Sequence, residues 1–255
     1  MAAPAAEPQQ DHIPPLAATG GTPIWQDTVG CDVTLEGCDI AGVKGANAVS
    51  VFAGSTLMLR DCRIHDSDGH GVLLCGNQAT VERCDVYAHK LQGVRVESGG
   101  NLNMREGQVH ACKPGITVAG KSQATVEGCT LFRNGYSDGG ETYSQLWVGD
   151  DSTITVRRCT IRDGAPDGIA FRHKGGGTVE DCAIYNNDQD GVGIEEGSNP
   201  TIRRCRINRN KRKAIDVGRD CPAVVEDCDL TDNRRGAWGL PLFGVRDLCR
   251  NRNKE

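Results

Sequence analysis

Aromatic side chains are scarce in this chain. Its 255 residues include 3 Trp, 4 Tyr and 4 Phe. Apolar residues make up 38%, so a core requires them to be well ordered along the chain. No apolar run approaches the ~18 residues of a membrane span. Neither charge sign dominates: 29 Lys and Arg face 34 Asp and Glu, for a net charge of −5. That excludes a strongly basic nucleic-acid binder and any pull toward anionic membranes. The spacings CxxC and HxxxH do not occur, so a zinc site has no support and no metal is expected. Residues 1–16 lack the basic and apolar regions of a secretory signal. The 13 cysteines are odd in number, so at least one is unpaired within the chain. Thiols without an export signal imply an intracellular, cytoplasmic protein.

Repetition is what the sequence has instead. Cys38, Cys62, Cys84, Gly107, Cys129, Cys159, Cys182, Cys205 and Cys228 recur about every 23 residues. Each unit reads apolar-x-apolar-x-x-Cys-x-apolar, a turn, then Gly-Val-x-Val. Three residues before the Cys position stand Leu35, Leu59, Val81, Met104, Val126, Val156, Val179, Ile202 and Val225. Two residues after it come Ile40, Ile64, Val86, Val109, Leu131, Ile161, Ile184, Ile207 and Leu230. Period 2 within runs this short means strands. A unit of three short strands cannot bury its own core, whereas stacked copies can. The expected fold is all-β: a parallel β-helix (solenoid) of about nine to ten coils, with three short strands per coil spaced ~4.8 Å apart. Chain chirality favours the right-handed form. The expected organisation is a linker over 1–28, the β-helix over 29–248 and a polar tail over 249–255.

The Cys-x-Ile … Asn-x-x-x-Gly-Ile/Val-x-Val rhythm resembles the right-handed parallel β-helix repeat family. Its relatives include pectate-lyase-like enzymes and carbohydrate-binding and sugar-hydrolase domains. The resemblance covers residues 31–240. It specifies the fold, whereas the motif itself encodes stacking rather than chemistry.

Three columns mimic functional sites and read as structural. The cysteines share one inward column, where free Cys behaves as a small hydrophobe. Asn134, Asn187, Asn210 and Asn233 form a turn ladder, where Asn tolerates the left-handed bend and its amide can bond the coils above and below. Glu36, Arg60, Glu82, Arg105, Glu127, Arg157, Glu180, Arg203 and Glu226 alternate in sign at every coil. Opposite charges therefore meet across neighbouring strands on what is expected to be an exposed face.

One turn departs from the repeat. From Cys129 to Leu146 is 17 residues, about seven more than elsewhere. The surplus falls in Arg133–Gln145, beside Trp147 at an outward strand position. Insertions on solenoids map to one face and are often where binding occurs. The candidate ligand-binding residues are Tyr136, Asp138, Glu141, Tyr143, Trp147, Asp167, Arg172 and His173. An exposed aromatic pair with nearby carboxylates suits sugar stacking or a protein hot spot.

The favoured reading is a non-catalytic scaffold that binds a glycan or protein partner through the face around residues 133–145, without nucleic acid or membrane. The alternative implied by the resemblance is a polysaccharide lyase, hydrolase or epimerase. Asp163, Asp167, Arg172 and Asp190 would then carry catalysis, with calcium as cofactor for a lyase. A third reading is a fragment or module of a larger protein. The lack of amphipathic capping helices at either end allows end-to-end self-association.

Overall fold

The computed structural model describes residues 24–26, 32–42, 44–52, 54–138, 141–239 and 251. Three parallel sheets of nine, nine and eight strands run the length of a β-solenoid. Sheet 1 contains the strands that precede each Cys position, from Asp32–Glu36 to Val224–Glu226. Sheet 2 contains the three-residue strands that follow it, from Asp39–Ala41 to Arg206–Asn208. Sheet 3 runs from Ile24–Gln26 through Val49–Phe52 to Ile215–Val217. Among the described residues this gives eight complete coils, with one further strand at each end, close to the nine to ten expected. Ile24–Gln26 lies inside the segment expected as linker, yet pairs with Val49–Val51.

Each strand pairs with its equivalent one coil away. Val81, for example, stands opposite Leu59 on one side and Met104 on the other. Inward and outward residues alternate along sheet 1, so Leu59, Val81, Met104, Val126 and Val156 form a fully buried column. No segment contributes enough apolar surface alone. The core exists only because successive coils align.

The corners carry the conformational cost. Asp61, Arg83, Glu106, Arg158, Asp181, Arg204 and Asp227 immediately precede the Cys position, with φ between 50° and 55°. For non-glycine residues this left-handed region costs roughly 1–2 kcal/mol each. The cost is offset across the coils: the amide of Asp61 donates to Glu82 O at 3.0 Å, and that of Arg83 to Arg105 O at 2.9 Å. The cysteine that follows is buried and also donates. Cys62 Sγ reaches Arg60 O at 3.2 Å and Leu35 O at 3.5 Å. A small apolar side chain with a weak donor fits that corner.

The asparagine ladder is present: the expected amide bonding from coil to coil is formed, whereas the left-handed bend falls one residue earlier. The left-handed residues are Arg133, Asn186, Arg209 and Asp232, each one position before the ladder Asn. Asn187, Asn210 and Asn233 instead serve through their amides. Asn210 Oδ1 accepts the amide of Asn187 at 3.0 Å, and Asn233 Oδ1 that of Asn210 at 3.0 Å. Asn251, in the expected polar tail, falls in the cysteine column. Its Oδ1 accepts the amide of Cys228 at 2.9 Å, and its Nδ2 donates to Val225 O at 2.9 Å. It satisfies backbone groups of the last described coil.

The Glu/Arg ladder is formed, but it is not uniformly exposed. The Glu180 side chain is 11% exposed and sits among Arg157 at 3.4 Å, Arg203 at 3.0 Å and Arg204. Long guanidinium arms from both neighbouring coils fold over it. Removing a mostly buried charge partner is far costlier than removing a surface one. Glu180→Lys is therefore expected to cost about 2–4 kcal/mol, against about 1 kcal/mol or less for Glu36→Lys in the exposed first coil. Urea unfolding of both variants checks this, and equal losses would show that burial of Glu180 does not matter.

Candidate functional site

The insert leaves the solenoid at the corner between sheets 2 and 3. Tyr136–Asp138 pairs antiparallel with Glu141–Tyr143, so the expected loop is a short hairpin. Gly135 makes the exit. Its φ is 93°, and a Cβ there would lie 1.6 Å from Ala165 O, so only glycine passes. The side-chain placements of Tyr136, Asp138 and Glu141 lie outside the described residues.

Just past the hairpin, Leu146–Val148 joins sheet 3, with Trp147 between two buried neighbours and facing outward. Its indole lies back over Gly149, where a Cβ would meet the ring at 2.4 Å. The His173 ring stands 6.2 Å from it at a tilt of 52°. Tyr143, Trp147, Gln92, Arg95, Thr117, Ala119 and Asp150 enclose a groove of about 190 Å³. Thr117 is 5% exposed, and its hydroxyl has no hydrogen-bond partner among the described residues. Arg95 is oriented by Glu97, 2.6 Å from its Nε. The sequence had flagged Tyr143 and Trp147 but missed Arg95 and Thr117. Both occupy outward positions of the same column, one and two coils before Trp147. That column was the available signal.

The candidate acids and bases are placed in structural pairings. Asp167 and Asp190 occupy equivalent positions one coil apart. Asp167 Oδ1 accepts the amide of Asp190 at 3.0 Å, and Asp190 Oδ1 that of Lys213 at 2.7 Å. Arg172 pairs with Glu195. His173 Nδ1 lies 2.8 Å from Glu196 Oε2. Asp163 pairs with Arg162 and accepts from Asn186 at 3.2 Å, away from the groove. Calcium, which the lyase resemblance implies, finds no converging donor set: among the described residues no three His, Cys, Asp or Glu side chains are grouped to hold a metal ion.

Asp167 remains unusual. It is 6% exposed, and burial raises its carboxyl to a pKa of about 6 against the opposing pull of the Asp190 amide. The folded state therefore holds a proton that the unfolded chain releases above its ordinary value of 3.8. Stability is lost as pH rises between those two values, and the full cost is present above about pH 6. Asp167→Asn keeps an oxygen for the Asp190 amide while removing the charge. It should stabilise the protein by on the order of 2 kcal/mol at about pH 7.5, with the gain vanishing near pH 4. Urea titrations at both pH values test this, and a pH-independent difference would refute it.

The sequence model for the right-handed β-helix region matches residues 26–142 and 137–240. No curated protein sequence matches the chain. Among solved structures, the pectate lyase Pel9A superposes with a TM-score of 0.50 at 11% identity, over 85% of this chain and 56% of that one. A mutant of the periplasmic alginate epimerase AlgG gives 0.52 at 14% identity, over 85% of this chain and 73% of that one. The ORF18 protein of Geobacillus virus E2 gives 0.50 at 10% identity, over 86% and 52%. The chain spans little more than half the length of the lyase and the viral protein. At these identities the likeness concerns the fold. With family match, strand order and register in agreement, the chain belongs to the right-handed parallel β-helix family.

Proposed function

We propose that the protein is a recognition scaffold that holds a polysaccharide on the outer face of sheet 3, in the groove beside Trp147. The observation that carries this reading is the unpartnered Thr117 hydroxyl in a groove walled by Trp147 and Tyr143. A buried hydroxyl without a partner is costly, and a sugar hydroxyl would satisfy it. An aromatic wall suits the apolar face of a pyranose, and Gln92, Arg95 and Asp150 supply further polar contacts at the rim. Two proteins of similar fold are named for polysaccharide chemistry, a pectate lyase and an alginate epimerase, which supports a glycan over a protein partner.

A second reading, a polysaccharide-converting enzyme, is favoured by one feature. Asp167 is a buried carboxyl whose pKa near 6 suits proton transfer at neutral pH. Its Oδ2 overlies Gly193 on the outer face of sheet 3, on the strand next but one to Trp147.

Trp147→Ala is expected to leave the β-sheet circular dichroism unchanged, because an outward side chain supports no core layer. It should weaken binding to a responsive polysaccharide by about 2 kcal/mol or more. Calorimetry over a panel that includes polygalacturonate, alginate and neutral glucans measures this. Undiminished binding by the variant would place recognition elsewhere. Loss of turnover by orders of magnitude in Asp167→Asn, with affinity retained, would replace the scaffold with the enzyme.

A further inference from the structure

The asparagine ladder lacks a rung in the coil that follows Asn134, where the ladder position is Gly164. In regular coils each ladder Asn packs over a small residue of the coil before it, just ahead of the sheet 3 strand. A Cβ on Gly115 would lie 2.8 Å from Asn134 Nδ2, one on Gly168 would lie 2.9 Å from Asn187 Nδ2, and one on Gly191 would lie 2.8 Å from Asn210 Nδ2. Among the described coils one reverses this arrangement. Gln145 stands where glycine is usual, and the ladder position above it is the glycine. A Cβ on Gly164 would lie 2.1 Å from Gln145 Cγ. The Gln145 side chain, fully buried, then makes the bonds of a ladder Asn. Asn210 Oδ1 accepts both the backbone amide and Nδ2 of Asn187, each at 3.0 Å. Gln145 Oε1 accepts the same two donors from Asn134, each at 3.4 Å. Asn210 Nδ2 donates onward to Asn233 Oδ1 at 2.9 Å. Gln145 Nε2 donates onward to Asn187 Oδ1 at 2.9 Å, and to Arg162 O at 3.0 Å.

We propose that Gln145 is a positioning residue of the Trp147 groove, which holds the two ends of the insert together by supplying the missing rung. Asn134 stands at the entry of the insert and Gln145 at its exit, so the bonds between them close its base. An Asn at position 164 would complete the ladder equally well, but it would not belong to the insert. With the rung at 145, the insert becomes part of the stack. The backbone of Gln145 is held as well: its amide donates to Asp167 O at 3.1 Å, and its carbonyl accepts the amide of Ile116 at 3.0 Å. Gln145 lies between Tyr143 and Trp147, the two aromatic walls of the groove. Fixing it places both, so little conformational freedom remains to be lost on binding. The role in binding rests on the reading of the groove given above, whereas the exchange of the rung does not.

Three variants of the full chain test this: Gln145→Ala, Gly164→Asn and the two combined. Each single change should lower the urea midpoint, the first by leaving the Asn134 amide without its acceptor and the second by collision with Gln145. The double variant should regain most of the loss, because Ala at 145 with Asn at 164 reproduces the pairing of Ala214 with Asn233. Its insert should nevertheless stay loosened. The amides of Tyr136–Asp138 and Glu141–Tyr143 should exchange about tenfold faster than in the wild type, in the double variant as in Gln145→Ala. A double variant that regains no stability overturns the exchange of the rung. Hairpin amides that return to the wild-type rate in the double variant overturn the positioning role and leave Gln145 a ladder rung alone. Calorimetry with polygalacturonate, alginate and neutral glucans separates this from the groove itself. A polysaccharide bound by the wild type and lost in Trp147→Ala should bind the double variant more weakly, and equal affinity overturns the proposal. Absence of binding across the panel removes the groove reading, and the exchange rates then decide whether Gln145 holds the insert.

Discussion

Everything in this molecule depends on the backbone hydrogen bonds that pass from one coil to the next. A single coil has three short strands, each burying one face, and three corners, several in the left-handed region. Alone it would have neither a core nor partners for its corner amides. Stacking provides both at once. The amide that emerges from a strained corner such as Arg158 finds Glu180 O one coil further on, and the same alignment brings Val156 beside Val179 in the core. Register, core and corner geometry are one constraint, which explains why the 23-residue period is so closely kept. A side chain that takes the place of the next coil must reproduce the same contacts, as Asn251 does for Cys228.

That coupling also explains what could be read from the sequence. The strand columns, the three strands per coil and the buried cysteines follow from period 2 inside period 23, because every coil repeats the same pattern. The roles of single residues in the turns were harder to read. The left-handed residue precedes the ladder asparagine because the bend and the amide ladder are separate demands on adjacent positions. Glu180 looks like any other member of an alternating column, but three arginines close over it, a matter of side-chain length and rotamer that a column does not encode. The insert was legible as surplus length, whereas its hairpin pairing was not, since its two strands are only three residues each. Arg95 and Thr117 entered the groove because they share a column with Trp147. That relation was on the page in the sequence, but gains meaning only when the indole is seen to lean along the strand.

Function emerges where the molecule stops repeating itself. On most of its surface, opposite charges, amide ladders and cysteine columns satisfy one another, and little is left for a ligand. The Trp147 groove is different because an insert adds aromatic surface beside a hydroxyl with no partner. Asp167 is different because it is a carboxyl kept from water while one coil-to-coil bond holds only one of its oxygens. A rigid rod suits such sites, since each side chain is fixed by the coils on either side and little conformational entropy is lost on binding.

Native-state hydrogen exchange tests the coil-to-coil dependence most directly. The amides of Asp61, Arg83, Arg158, Asp181 and Arg204 sit at corners near the surface, where an isolated turn would exchange within the fast, locally fraying regime. If the neighbouring coil holds them, these amides should exchange as slowly as those of Val81, Val126 and Val156 in the buried strands, and all should open together. Rapid exchange at the corners beside slow exchange in the strands would contradict the claim that corner and core form one cooperative unit.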